Sequence, residues 1–290
     1  MITRSILYYP GCTVKRNAME YEKTAIAILG KIGFKIIELN KWYCCGTLYS
    51  LTIDDLSKHI GAIRVLINAQ KESVKYKTSE LLTLCPMCFN VLKRVNNYLT
   101  KYPDKLETIS RYIDEEEPYK LGIVVKHVVE TLVENIDAIK KNKVIEPGGK
   151  RIAVYYGCTI VRPREIGIDN PEDPVIIEKF LNEIGFETID YPYKTLCCGS
   201  YQVLLDKNIV YRNSSRILNE IVNRNVNLLI TVCPLCLYNL RETVDKFEKK
   251  IEIKIIYLTD IVAYVMGLRN SIDSNTLSFL DKVFSSNPLS

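Results

Sequence analysis

The sequence predicts an α/β protein of two similar halves, each a parallel sheet flanked by helices. The first reason is that the chain repeats itself. "ILYYPGCT" at 6–13 returns as "AVYYGCT" at 153–159, and "LGKIGFKIIEL" at 29–39 as "LNEIGFETIDY" at 181–191. "LLTLCPMCFNVL" at 81–92 returns as "LLITVCPLCLYNL" at 228–240, and, more weakly, 122–136 as 253–267. The second reason is that short apolar runs alternate with stretches of helical period in each half, the pattern of parallel strands joined by helices. The third is that Cys44-Cys45-Gly46 reappears as Cys197-Cys198-Gly199 at the matching point of the repeat.

The elements follow in order. Ile6–Tyr9 is a short apolar strand. Residues 19–32 have helical periodicity that stops at Gly33, and "FKIIEL" alternates as a strand does. Residues 54–76 read as a long helix whose "TIDD" supplies an N-cap and early acids. "ELLTL" is a strand, "MCFNVLKRVNNYL" a helix, and "GIVV" with "HVVETLVENI" a closing strand and helix. The second half repeats this order. The charged stretch "KKNKVIEPGGKR" with its Pro-Gly-Gly reads as a linker, which places one domain at 1–146 and the other at 147–290.

The 290 residues suit two ordinary domains, and 47% hydrophobic with 25% charged residues is usual for a soluble globular chain. Nothing approaches the roughly 18 uncharged apolar residues of a spanning helix. The segment "MITRSILYYPGCT" lacks the apolar core and cleavage site of a signal peptide, so a cytoplasmic location is expected. The net charge of +5 is spread among acids and does not point to nucleic acid.

Ten cysteines in a reducing compartment point to metal or redox chemistry rather than disulfides. Each cluster follows a strand, and ligands of open parallel sheets bind beyond the strands' carboxyl ends. Cys12, Cys44, Cys45, Cys85 and Cys88 are therefore expected on one sheet edge, and Cys158, Cys197, Cys198, Cys233 and Cys236 on the other. In "CPMC" and "CPLC" proline suits a first helical turn, and cysteines three apart on that turn reach one centre. Exposed amides at the helix start favour thiolates. Adjacent side chains of a strand point to opposite faces, so both members of Cys-Cys serve one centre only where the chain turns, which the next glycine permits.

Five thiolates exceed the four of tetrahedral zinc and the four of an ordinary iron–sulfur cube. The fifth is either a reactive spare or a bridge between two irons. Buried cysteines acting as small hydrophobes do not explain two registered sets of five. Structural zinc in one or both halves is the serious alternative, although zinc modules usually place two close cysteine pairs within about 20 residues.

These motifs resemble the cysteine-rich CCG family: a cysteine, a Cys-Cys-Gly, then Cys-Pro-x-Cys, with 31 and 39 residues between them in the first half and 38 and 34 in the second. "YYPGCT", "YYGCTIVRP", "DNPEDP", "YPYKTLCCG" and "CPLCLYNL" are most similar to the B subunit of heterodisulfide reductases, over nearly the whole chain. The resemblance implies two Rossmann-like CCG domains, each holding a noncubane [4Fe-4S] cluster through its five cysteines, one of them bridging. It implies that a disulfide of two thiol cofactors is reduced between the clusters, or thiols oxidised. The CCG unit also occurs in a subunit of some succinate dehydrogenases, so the alternative is a non-catalytic subunit for electron transfer and membrane docking. One departure is that family members often carry "YFTQ" where this chain has "IYLTD" at 256–260.

No G-x-G-x-x-G follows a strand and no C-x-x-C-x-x-C run is present, so electrons are expected from partner subunits carrying flavin or cubane clusters. Lys15 and Arg16 follow Cys12, and Arg162 and Arg164 follow Cys158; these are candidates for attracting an anionic thiol or disulfide, or else solvated loop charges. His59 reads as part of a helix away from the motifs, and His127 as a structural residue at a strand end. Tyr8, Tyr9, Tyr155 and Tyr156 read as packing around the site, and Trp42 as a shield against water. The amphipathic tail from Leu258 offers a peripheral membrane contact or, more often for such tails, packs on its own domain.

Overall fold

The computed structural model describes residues 4–47, 56–246 and 252–285. The first half runs β1 (Arg4–Tyr9), α1 (Gly11–Asn17), α2 (Met19–Lys31), β2 (Phe34–Glu38), a 3-10 turn (Leu56–His59) and α3 (Ile60–Tyr76). It continues with β3 (Glu80–Thr83), α4 (Pro86–Lys101), α5 (Pro103–Tyr112), β4 (Val124–His127), α6 (Val128–Glu134) and α7 (Ile136–Lys141). The second half runs β5 (Arg151–Tyr155), α8 (Ile176–Glu183), β6 (Glu187–Ile189), a 3-10 turn (Ser200–Leu204) and α9 (Lys207–Asn223). It ends with β7 (Leu228–Thr231), α10 (Pro234–Val244), β8 (Lys254–Tyr257), α11 (Leu258–Val265), a 3-10 turn (Arg269–Ser271) and α12 (Ser274–Ser285).

The strands form two four-stranded parallel sheets, β2-β1-β3-β4 and β6-β5-β7-β8. Ile6, Leu7, Tyr8 and Tyr9 are all buried, as expected for a parallel strand with helices on both faces. In each sheet the chain steps to one side of the first strand and then crosses to the other, so the switch point lies between β1 and β3, and between β5 and β7.

The register of the repeat differs from the sequence match at one place. Tyr9 pairs with Thr83, and Tyr155 with Thr231. Tyr9 is thus the counterpart of Tyr155, and Pro10 takes the place of Tyr156. Other boundaries shift for local reasons. Leu121 and Gly122 adopt positive φ (65° and 96°), which delays β4 to Val124. The helix expected at 54–76 begins as the 3-10 turn and becomes α-helical at Ile60; Thr52–Asp55 lie outside the described residues. The short helix α1 has no sequence signature. Its seven residues include a glycine and two β-branched side chains, and Pro10 caps it without a side-chain hydrogen bond.

The halves pack through matching helices: α2 lies on α11, and α6 on α8. In the first seam Tyr21 stacks on Tyr257 with ring centres 4.2 Å apart, and Thr24 Oγ1 lies 2.7 Å from Thr259 Oγ1. The Asp260 carboxylate accepts from the Tyr257 amide (3.0 Å) and from the Thr24 hydroxyl (3.3 Å). The departure at 256–260 therefore falls on the seam between the halves. The tail from Leu258 is used inside the molecule: α11 is buried throughout, and Phe284 of α12 meets Phe186 and Tyr264.

Burial pushes the Asp260 carboxyl up to about 7. The folded state then holds a proton that the unfolded chain releases near pH 4. Stability is fullest below that value, falls as pH rises toward 7, and is flat above. The expected loss is at most about 4 kcal/mol, and Asp260→Asn should flatten that part of a urea-denaturation series run from pH 4 to 8. An unchanged slope in the variant would assign the dependence elsewhere.

Candidate functional site

The cysteines fall at the carboxyl edges of both sheets. Cys12 lies in the first turn of α1, Cys44 and Cys45 in the loop after β2, Cys85 at the N-cap of α4 and Cys88 in its first turn. Cys158 and the Cys197–Cys198 pair occupy loops after β5 and β6, while Cys233 and Cys236 open α10. All ten are free thiols. Sγ–Sγ distances are 3.8 Å for Cys12–Cys44, 3.5 Å for Cys45–Cys88 and 3.6 Å for Cys198–Cys236. The thiols thus gather in close pairs, and among the described residues no three His, Cys, Asp or Glu side chains close around a single ion.

Backbone amides are aimed at these sulfurs. The Cys85 thiol is lowered first by its bond from Cys88, and the amides of Cys88 and Met87 in the opening turn of α4 add to this. The Gly199 amide donates to Cys197 Sγ at 3.4 Å, and the amide of Thr47 stabilises the Cys45 sulfur. Cys88 keeps the proton of its group: bonds to Cys45 and Cys85 push it well up and bring Cys45 down to about 7. The second half repeats this, with Cys198 well down, through Cys197 first and then Cys236, and Cys236 well up. Cys45 and Cys85 in the first half and Cys198 in the second are thus held toward the thiolate, the form that binds metal, while Cys44, Cys158 and Cys197 are pushed up.

Glycine makes the cradle. Gly11 and Gly157 have φ of 71° and 70°, and a Cβ there would lie 2.9 Å from Cys88 Sγ and 3.1 Å from Cys236 Sγ. A side chain at either position would displace a sulfur and incur left-handed strain. A donor set of thiols alone, held by amides against a glycine, fits an iron–sulfur group.

Surrounding side chains hold the peptide just before each cysteine motif. Tyr9 Oη donates to Tyr43 O (2.8 Å), next to Cys44, and Tyr155 Oη donates to Leu196 O (2.6 Å), next to Cys197. His127 Nε2 donates to Leu84 O (2.8 Å), next to Cys85, while its Nδ1 accepts from the Val129 amide. Burial pushes this imidazole down to about 3, so it stays neutral. The equivalent carbonyl before Cys233, that of Val232, is held instead by Tyr21 Oη from the other half, at 3.1 Å. His59, expected away from the motifs, is buried in the turn leading into α3, and the start of that helix packs on Cys44: a Cβ on Gly61 would lie 2.6 Å from Cys44 O. Trp42 is half-buried and meets Tyr9 edge-on, with ring centres 5.8 Å apart.

Behind Cys158, Lys194 is almost wholly buried. Its Nζ bonds Pro174 O (2.9 Å), Asp173 (2.9 Å), Asp190 (3.2 Å) and Glu178 (3.3 Å), and its carbonyl receives the amides of Tyr156 and Gly157. Tyr156 Oη in turn donates to Glu178. The first half has a looser version, in which Tyr8 Oη donates to Glu22 at 3.0 Å and Lys15 pairs with Glu22 and Glu38.

Between the halves lies a cavity of about 670 Å³. Thr13, Cys85 and Met87 come from the first half; Tyr201, Lys207 and Leu235 are among its walls from the second. Of the basic residues singled out in the sequence, none lines it. Lys15 is tied to two glutamates, Arg162 bonds Thr195 and Glu172, and Arg16 and Arg164 are exposed. Lys207 and Tyr201 carry no sequence signature, because the cavity exists only once the halves have packed.

Fold and site define a duplicated parallel α/β protein with five cysteines at the carboxyl edge of each sheet and a cavity between its halves. The family model of the CCG cysteine-rich domain matches residues 6–93 and 152–241, and the chain belongs to that family. It is 25% identical over 272 residues to the 8-methylmenaquinol:fumarate reductase membrane anchor subunit of Wolinella succinogenes, covering 91% of this chain and 93% of that one. It is 21% identical over 293 residues to the B subunit of the ferredoxin:CoB-CoM heterodisulfide reductase of Methanosarcina mazei, covering 94% and 95%. A crystal structure of a hypothetical protein from Helicobacter pylori shares the fold, with a TM-score of 0.72 at 11% identity over 95% of this chain and 51% of that one, about half its length. No described helix is long and apolar enough to cross a membrane.

Proposed function

We propose that this chain is an oxidoreductase subunit in which two iron–sulfur groups flank a cavity where a disulfide is reduced or two thiols are oxidised. The two domains are 1–146 and 147–290. Cys12, Cys44, Cys45, Cys85 and Cys88 hold one group, and Cys158, Cys197, Cys198, Cys233 and Cys236 the other. Each group is a noncubane [4Fe-4S] cluster, as the resemblance to heterodisulfide reductase B subunits implies, with five thiolates to hold it. When bound, such a group supplies one-electron chemistry and Lewis-acidic iron. The reaction balances as RS–SR′ + 2e⁻ + 2H⁺ → RSH + R′SH, with electrons from partner subunits carrying flavin or further iron–sulfur centres.

The observation that carries this reading is the cavity itself, which meets Cys85 on one wall and, on the other, Pro234 and Leu235 between Cys233 and Cys236. Lys207 on the wall, with the exposed Arg16 and Arg164 close in sequence to Cys12 and Cys158, provides the positive field for an anionic substrate; Lys15 and Arg162 are paired with glutamates. The complex is placed in the cytoplasm, at the inner face of the membrane through its partners. The test is reoxidation: anaerobic complex reduced with dithionite should be reoxidised, in the visible spectrum, by one of a panel of disulfides.

A second reading is electron relay without catalysis, favoured by the similarity to a fumarate reductase anchor subunit. It wins if no disulfide reoxidises the protein and the chain copurifies with a flavoprotein dehydrogenase. Zinc in either half would show as zinc without sulfide.

A further inference from the structure

Tyr201, from the second half, lines the same cavity as Cys85, from the first. It lies three residues beyond Cys198, in the 3-10 turn that Asn239 anchors by donating to Ser200 O at 3.0 Å and to Cys198 Sγ at 3.3 Å. Its ring is half-buried on the cavity wall, and Cys85 is the one cysteine among the described residues lining that wall. The phenol oxygen is within electrostatic range of Cys85 and Cys45 from the first half and of Cys233 from the second. Thr47, directly after the first Cys-Cys-Gly, hydrogen-bonds the phenol from the other half.

From this arrangement we propose that Tyr201 is the hydrogen-bond donor that receives a substrate thiolate in the cavity, beside the first nest. The proposal rests on the reading that the cavity takes a sulfur compound. Thr47 can donate to the phenol oxygen, which leaves the phenol hydrogen free to point into the cavity. A tyrosine phenol titrates at about 10, so the hydrogen is retained at neutral pH. A thiolate is a charged acceptor and gains more from such a donor than the neutral sulfurs of a disulfide do. Tyr201 therefore discriminates between the two redox states of a substrate rather than binding both alike. The half-two position of this donor and the half-one position of Cys85 make the halves unequal: the sulfur held by Tyr201 is the one that lies next to Cys85.

The test uses the intact complex purified without oxygen, with 2-mercaptoethanol and its disulfide as probes, followed by calorimetry. Tyr201→Phe keeps the ring and removes the hydroxyl. It should weaken the thiol roughly tenfold and the disulfide less than about twofold. Val203→Ala, on the same wall, should move both probes equally, and unchanged thermal unfolding of Tyr201→Phe shows that the turn is intact. Equal binding of the thiol by wild type and Tyr201→Phe would overturn the proposal while leaving the sulfur site standing. If neither probe binds wild type, the sulfur-substrate reading falls and the proposal with it.

Discussion

Cys88→Ser should remove the iron–sulfur group of the first half and leave that of the second, and Cys236→Ser should do the converse. Cys88 is one of the three buried sulfurs of its set, with Cys45 and Cys85. It is buried, 3.5 Å from Cys45 Sγ, bonded to Cys45 and Cys85, and backed by Gly11 with no room for a Cβ. Serine is a harder, shorter donor with a far higher pKa, so it neither reaches nor ionises as the thiol does. Each variant should retain about half of the iron and sulfide of wild type, and the double variant almost none. Loss of both groups in a single variant would mean that the halves load as one unit; full retention would show that Cys88 and Cys236 are the spare fifth thiols of their sets.

Lys194→Met should destabilise the second half without touching any cysteine. Burial opposes the Lys194 charge, and Asp173, Glu178 and Asp190 together outweigh it, holding the ammonium above its ordinary range. Glu178 is itself pushed up by burial, although Tyr156 and Lys194 bond it. Three acids converge on the lysine, so it stays charged. Methionine would leave Glu178 buried with only Tyr156 and would release Pro174 O. The cost of breaking such a buried pair is about 3–5 kcal/mol, or a fall in Tm on the order of ten degrees for a chain of this size. Thermal unfolding monitored by circular dichroism checks it. A fall of only a degree or two would show that Glu178 tolerates its burial without the lysine. Because the Lys194 carbonyl also receives the Tyr156 and Gly157 amides, the variant should load less iron in the second half than in the first.

What the sequence made legible is the part that repeats. Two sets of five cysteines in matching registers, each after an apolar run, place the nests on sheet edges before any coordinates are known. The parallel sheets follow from the same alternation. Features that depend on packing between the halves were not legible. Tyr21 looks like an ordinary core residue of α2, yet its hydroxyl supports the carbonyl before Cys233, 211 residues away. His127 and Tyr257 occupy equivalent strand ends, and only the structure shows that one holds Leu84 and the other stacks across the seam. Lys15 reads as a free cation until Glu22 and Glu38, from α2 and β2, are seen against it. The helix α1 escapes because local propensity opposes it and the tertiary setting of Cys12 decides.

The central claim is that both five-thiol nests hold iron and sulfide together. Iron, zinc and acid-labile sulfide measured on protein kept anaerobic from lysis onward test it most directly. Roughly eight iron and eight sulfide per chain with negligible zinc is the expected result. Stoichiometric zinc without sulfide, in either half, would contradict it.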